Sequence, residues 1–303
     1  MKAVVITEQG AKPEATEVAT PQPGAGEVLV KVQTSSINGF DTAVAAGYTA
    51  GLMEHRYPLV LGKDFAGVVE AVGDGVTRFA VGDKVFGVVT KAFLGDGAFG
   101  EYVTVPQEIG IAKLPKGVDI AAAGAVGLAG TAAVDALDAV APQPGETVLI
   151  CGATGGVGAI AVQYAAAAGA RVIATAKPGE ADFVRGLGAH DVVDHTGDLP
   201  AQVRAASPAG VDVVLHLAGD SAALITLLTE KGRIASTLGP VDHPASTAVM
   251  ATPTESTLDR LAGDLAAGRL SVPVASAYPL DEVPAAFANF AGGTLGKISI
   301  TVG

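Results

Sequence analysis

A chain of 303 residues is too long for one ordinary domain and suits two, each able to bury its own core. With 49% hydrophobic and 17% charged residues and no tryptophan, it reads as globular; a formal charge of -12, with only 19 Lys and Arg spread along it, argues against a nucleic-acid partner. The single cysteine, Cys151, excludes an internal disulfide and any multi-cysteine zinc site.

The N-terminal MKAVVITEQG alternates like a strand and has no apolar leader region, so no signal peptide is expected. Apolar runs such as AAAGAVGLAGTAAV are broken by glycine and fall short of the ~20 residues of a membrane span, so the expectation is a cytoplasmic protein with no membrane partner. Up to about Pro115 the signals are short β-runs between Gly, Pro and Asp: KAVVITEQ, EVLVKVQTSSI, AGVVEAVG, DKVFGVV and GEYVTVP, the pattern of a partly open β-barrel. From about Val118 helices and strands alternate, the signature of a parallel sheet wrapped by helices. AAAGAVGLAGTAAVDALDAV reads as a helix, ETVLIC as a buried strand, and GAIAVQYAAAAG as a helix stopping at Gly169. The strand RVIATA, the helix EADFVRGLG and the strands DVVDH, VDVVLHLAG and GRIASTLG follow. The helix STLDRLAGDLAAGRL precedes a final helix and strand in PLDEVPAAFANFAGGTLGKISITVG, too short to be a domain and expected to pack on the barrel. The expected division is residues 1–117 completed by 264–303, and residues 118–263.

Between its first two strands the α/β region carries CGATGGVG, a glycine-rich turn opening a helix. Gly155 and Gly158 let the turn tighten and a pyrophosphate approach, and the helix beginning near Gly156 aims free N–H groups at phosphate; Ala153 stands where a G-x-G-x-x-G pattern has its first glycine. Thr154, Gly155, Gly156, Val157 and Gly158 are therefore candidate cofactor contacts. At the end of the second strand, Thr175-Ala176-Lys177 stands where an NAD enzyme offers an acid to the ribose, and the lysine favours NADPH. The bland alternative for Lys177 is a solvated loop residue.

These segments, with PGAGEVLVKVQTSSINGFD, PLVLGKDFAGVVEAVGDGVTRFAVGDKVFG and the terminal GKISITV, resemble the medium-chain dehydrogenase/reductase superfamily in its zinc-independent branch of quinone oxidoreductases and enoyl reductases, over essentially all 303 residues. The resemblance implies an α/β protein: a GroES-like barrel domain completed by the tail, a doubly wound Rossmann domain, and NADPH as cofactor. Zinc relatives carry a cysteine where Asn38 stands and the histidine of Gly-His-Glu where Lys63 stands, so no metal site is expected. The five histidines have no metal-motif spacing, and His195 and His216 read as structural.

Without a metal, hydride can still pass from nicotinamide to a quinone or an α,β-unsaturated carbonyl, provided the protein supplies orientation and a proton. The resemblance implies Asn38 and Tyr48 as catalytic candidates, Asn38 near the nicotinamide and Tyr48 near the tyrosine donor of enoyl-thioester reductases, one residue short of the usual spacing. A turn asparagine and a loop aromatic are the alternatives. It also implies cofactor contacts at Thr131, Gly219 and Leu238. Asp41 and Lys63 are candidates for a pair shaping the cleft floor. The apolar run STAVMATPT, residues 246–254, lies where family members pair as homodimers. The competing reading is an NADPH-binding redox sensor or structural protein with vestigial activity.

Overall fold

The residues EVLVKVQTSS of the strand Glu27–Ser36 alternate apolar and polar side chains, which buries one face of a strand. In the computed structural model, which describes all 303 residues, Val28, Val30 and Val32 enter a core with Phe65, Val69, Val85, Val103 and Ile111, while Lys31 and Gln33 are exposed. Three strands pair with this one antiparallel: Asp64–Val72, Tyr102–Pro106 and Lys297–Thr301. The sheet runs in the order Ile111–Lys113, Lys84–Val88, Asp64–Val72, Glu27–Ser36, Lys297–Thr301, Val274–Pro279, with Tyr102–Pro106 off this path. Its two tail strands run parallel to each other. Ser299 lies opposite Ser36 and Thr301 opposite Thr34, so the tail completes a sheet begun some 260 residues earlier. A second core in this unit gathers Val4, Ile6, Ile37, Leu61, Phe99, Ile298 and Ile300.

The other unit is built on six parallel strands in the order Asp191–Val193, Arg171–Thr175, Thr147–Cys151, Val211–His216, Leu228–Ser236, Ser246–Ala248. In chain order that is 3-2-1-4-5-6, the doubly wound Rossmann order. Its two central strands carry the apolar runs VLIC and VVL, buried because both faces are covered, and Leu149, Cys151, Ile173, Val214 and Ile234 form the core.

By contacts the chain divides into Met1–Leu128 with Pro253–Gly303, and Ala129–Thr252. The junctions expected at 117/118 and 263/264 thus differ from those observed, because the segments just inside them are tied to the barrel. Thr34 Oγ1 donates to the Ile120 carbonyl at 2.8 Å and the Leu128 N–H donates to Asp64 Oδ1 at 2.7 Å. Arg78 pairs with Glu255, and the Gly110 N–H donates to the Pro253 carbonyl.

One expectation is corrected. The helix expected over AAAGAVGLAGTAAVDALDAV is present as Ile120–Val140, but its glycines do not shorten the apolar run: its 21 residues are long and apolar enough to cross a membrane, with a mean hydropathy of 1.6 over the apolar stretch. However, 72% of its apolar stretch is buried within the protein, as befits a core helix. Its glycines serve close approach: a Cβ on Gly127 would come within 2.7 Å of the Gly87 carbonyl oxygen and 2.9 Å of Asp64 Oδ1. The helices Leu199–Ala206 and Ser221–Ile225 and the strand Val274–Pro279 had no place in the sequence reading. The first had a legible start, since Asp198 accepts from the Ala201 N–H and Pro200 stands in the first turn.

Candidate active site

The strand Glu27–Ser36 ends where Asp64 begins its neighbour, and Lys297 opens the tail strand beside them, so the sheet gathers four polar side chains in its interior. Asp64 is fully buried and Lys297 is 3% exposed. Lys297 Nζ donates to Asn38 Oδ1 at 2.5 Å and to the Ile37 carbonyl at 3.0 Å, and lies 3.5 Å from Asp64 Oδ2. Asp64 also accepts from Ser36 Oγ at 2.6 Å, from Asn38 Nδ2 at 2.9 Å and from the Leu128 N–H. With a further donation from Asn38 Nδ2 to the Ser36 carbonyl at 3.4 Å, both amide hydrogens of Asn38 are used within the protein. Sequence reasoning missed Ser36 and Lys297; the Gly-Lys of GKISITV was a visible signal for the lysine, but only the sheet brings it to Asn38.

Asp41, in the first turn of the helix Gly39–Ala45, accepts from the Asn38 N–H at 2.9 Å. Burial, reinforced by the charge of Asp64, pushes its carboxyl up to about 7 against the opposing pull of the Asn38 N–H, Lys297 and Lys63. Burial likewise lowers the ammonium pKa of Lys297 and Lys63, while Asp64 and Asp41 hold them up. The expected Asp41–Lys63 pair is absent: Lys63 forms no ion pair or hydrogen bond through its side chain, and its Nζ lies 5.4 Å from the centroid of the Phe40 ring. Asp41 and Lys63 nonetheless line one cavity within the barrel unit, together with Phe40, Val89, Phe93 and Asp96. His, Cys, Asp and Glu side chains gather nowhere in threes as metal ligands would.

In the Rossmann unit, Thr147–Cys151 leads into Gly152 at φ +86°, whose N–H donates to Thr175 Oγ1 at 2.9 Å. The Gly155 N–H bonds back to the Gly152 carbonyl at 3.2 Å, closing the turn. A Cβ on Gly158 would strike the Gly152 carbonyl oxygen, so this glycine is a packing requirement. The twelve-residue helix Gly156–Ala167 starts from Gly155, which has no side chain to cap it; a Cβ there would meet nothing nearer than 3.6 Å. Thr154, Gly155, Gly156 and Val157 are all partly exposed. An uncapped helix start behind a glycine turn, at the point where the strand order reverses, fits the diphosphate of a dinucleotide.

The remaining candidates are scattered in environment. Thr175 is 3% exposed, with its hydroxyl committed to the turn and to the Ile150 carbonyl. Lys177 is half exposed, 3.9 Å from Glu180 Oε1. His216 bridges the ends of two strands, with Nδ1 3.0 Å from Ser236 Oγ and Nε2 3.1 Å from the Gly219 carbonyl, and Ser236 Oγ accepts from the Leu238 N–H. One histidine therefore organises both loops that carry Gly219 and Leu238, and Leu238 is 59% exposed. Thr131 is fully buried, while Tyr48 is 78% exposed on a loop. Cys151 is buried and its thiol pushed up to about 12, so it is inert.

Residues 24–116 match the family described as alcohol dehydrogenase GroES-like domain, and residues 156–257 the family described as zinc-binding dehydrogenase. A quinone oxidoreductase of Lama guanicoe is 31% identical across 98% of this chain and 96% of its own length. A chloroplastic quinone-oxidoreductase homolog of Spinacia oleracea is 35% identical over 66% of this chain, spanning 62% of that protein. Among solved structures, the quinone oxidoreductase from Coxiella burnetii superposes with a TM-score of 0.90 at 25% identity, covering 100% of this chain and 99% of that one. A mycobacterial protein solved in complex with NADPH superposes with a TM-score of 0.87 at 29% identity, each chain covered in full.

Proposed function

Because the chain belongs to the quinone oxidoreductase family of the medium-chain dehydrogenase/reductase superfamily, we propose that it is an NADPH-dependent reductase of quinones or α,β-unsaturated carbonyls that works without a metal. One observation carries the reading most directly: Asn38 and Lys63, at the two ligand places of zinc relatives, are an amide engaged by Lys297, Asp64 and Ser36, and an ammonium. When bound, NADPH supplies the hydride. The protein's part is to hold the cofactor and to meet the charge that develops on the acceptor oxygen. The turn Gly152–Gly158 and the start of the helix Gly156–Ala167 would hold the diphosphate, with Lys177 beside the adenosine ribose as the cation for its 2′-phosphate. Thr175 supports that site from behind, since its hydroxyl holds the Gly152 N–H. Asn38, whose two amide hydrogens are used internally, can offer a ligand only its oxygen, and acts chiefly to fix the local backbone.

Two further features belong to the same proposal. The strand Ser246–Ala248 is an outer strand of the six-stranded sheet, and Met250 just beyond it is 86% exposed; pairing of this edge with its copy makes a homodimer and covers an aggregation-prone edge. A cytoplasmic setting suits a chain whose one cysteine is buried and unpaired.

The test is steady-state oxidation of NADPH against a panel of quinones, enones and enoyl thioesters, with and without a chelator. Turnover of quinones or enones that the chelator leaves unchanged is expected. Tight NADPH binding with no acceptor reduced would instead favour the redox-sensor or structural reading.

A further inference from the structure

Among the cations near the cavity of the barrel unit, one has all its protons uncommitted. Lys297 is tied to three oxygens, and Lys91 to Asp96, Glu27 and Thr104. Lys63 has no such partner, and its Nζ stands off the Phe40 ring on the cavity wall. Its backbone is held firmly: Gly62 sits at φ +99°, where a Cβ would run into Phe99, the Gly62 carbonyl accepts from Ala98 at 2.9 Å, and the Lys63 carbonyl accepts from Val89 at 2.7 Å. The backbone that carries this lysine is therefore fixed while its head makes no hydrogen bond to the protein, in a cavity whose other walls include two aromatic rings, Phe40 and Phe93. The enclosed space is about 20 Å³, room for an oxygen and not for a ring, so a flat conjugated acceptor satisfies both features by lying across the opening against apolar surface and turning its carbonyl inward to accept a hydrogen bond from the ammonium.

Resting on the function proposed above, we infer that Lys63 is the catalytic proton donor: its Nζ binds the carbonyl oxygen of the quinone or enone and supplies the proton that this oxygen gains on reduction. In the balanced step, the acceptor takes the hydride of the reduced nicotinamide, which is oxidised in return. For an enone the hydride bonds to the β-carbon, the C=C pair shifts to form a new C=C bond toward the carbonyl carbon, and the carbonyl π pair moves onto oxygen. That oxygen forms an O–H bond as the N–H bond of Lys63 breaks. The enol so formed tautomerises in solvent to the saturated ketone, whereas a quinone ends as hydroquinone. Solvent then returns a proton to the neutral amine. Burial makes the ammonium of Lys63 more acidic than an exposed lysine, which suits it to the transfer. The acids acting on it are Asp41 and Asp64, which keep the head protonated against burial, while Asp96 lines the same cavity; the cations nearby are held by these acids, Lys91 by Asp96 and Lys297 by Asp64.

The inference is tested by two measurements. The first uses the protein alone with 4-nitrophenol, whose oxygen mimics the charged state and whose colour reports ionisation. Wild type should bind the phenolate and shift its ionisation to lower pH, Lys63→Arg should keep that shift, and Lys63→Met and Lys63→Gln should lose it. The second is the pH profile of turnover. Wild type should lose kcat as pH rises through the lowered pKa of Lys63, and Asp41→Asn, by removing a nearby acid, should move that limb to lower pH. In Lys63→Met the limb should vanish and kcat fall by about 10²- to 10⁴-fold, with NADPH affinity unchanged. Equal phenolate binding by wild type and both neutral variants, or a Lys63→Met enzyme that keeps the same kcat and the same limb, would overturn the assignment. If wild type reduces none of the acceptors, the function proposed above fails, while the nitrophenol measurement still judges Lys63.

Discussion

Replacing Lys297 by methionine removes a buried charge from the centre of the polar knot, and the structure sets the size of the loss. The variant forfeits the donations to Ile37 and Asn38 and leaves Asp64, itself fully buried, without the cation 3.5 Å away. Breaking a buried pair by removing one partner costs about 3–5 kcal/mol. Asp64 still keeps three donors, Ser36 Oγ, Asn38 Nδ2 and the Leu128 N–H, so the low end of that range, about 3 kcal/mol, is expected. Urea unfolding at neutral pH, followed by far-UV circular dichroism, should show a lower midpoint with an unchanged slope. The double variant Asp64→Asn/Lys297→Met should recover at least about 1 kcal/mol relative to the sum of the two single losses, because the residues share one network. A single-variant loss below about 1 kcal/mol, or strictly additive losses in the double, would show that the knot is not an energetic unit.

The buried Asp41 predicts a pH effect of a definite sign. Its folded pKa is raised from 3.8 to about 7, so its contribution to stability is present at low pH and is lost as pH rises through that window, at up to about 1.4 kcal/mol per pH unit. Asp41→Asn should match wild type in unfolding free energy below about pH 4 and exceed it above about pH 7; parallel curves would refute the raised pKa. Lys177→Ala should weaken NADPH binding by about tenfold and leave NADH binding unchanged, the low end of a charge-assisted bond because the lysine is half exposed and shares Glu180. Equal losses for the two cofactors in titration calorimetry would mean the phosphate is read elsewhere. Light scattering at micromolar concentration should give the mass of two 29.9 kDa chains, and Thr247→Pro on the outer strand should reduce it to one; a wild-type monomer would end the dimer proposal.

Much of this protein was written locally. Alternating apolar residues in EVLVKVQTSS, the strand–glycine turn–helix order of TVLICGATGGVGAIAV, and the lysine that follows RVIATA are short-range signals, and each dictates its local backbone whatever surrounds it. The Rossmann strands were legible for that reason, as was the inert Cys151 buried in the first of them. What depended on distance was not legible. Nothing in GKISITV says that its lysine will meet Asn38 and Asp64, since that contact arises only when the tail strand lies beside Glu27–Ser36. The helix Ile120–Val140 was legible as a helix, but the purpose of its glycines, making room for Thr34, Gly87 and Asp64, was not, because those partners lie on other strands. Lys63 read as half of a pair with Asp41. Tertiary structure instead gave that carboxylate to the Asn38 N–H and left the ammonium beside the Phe40 ring, because a buried acid takes the donor already fixed beside it before ordering a long, flexible side chain.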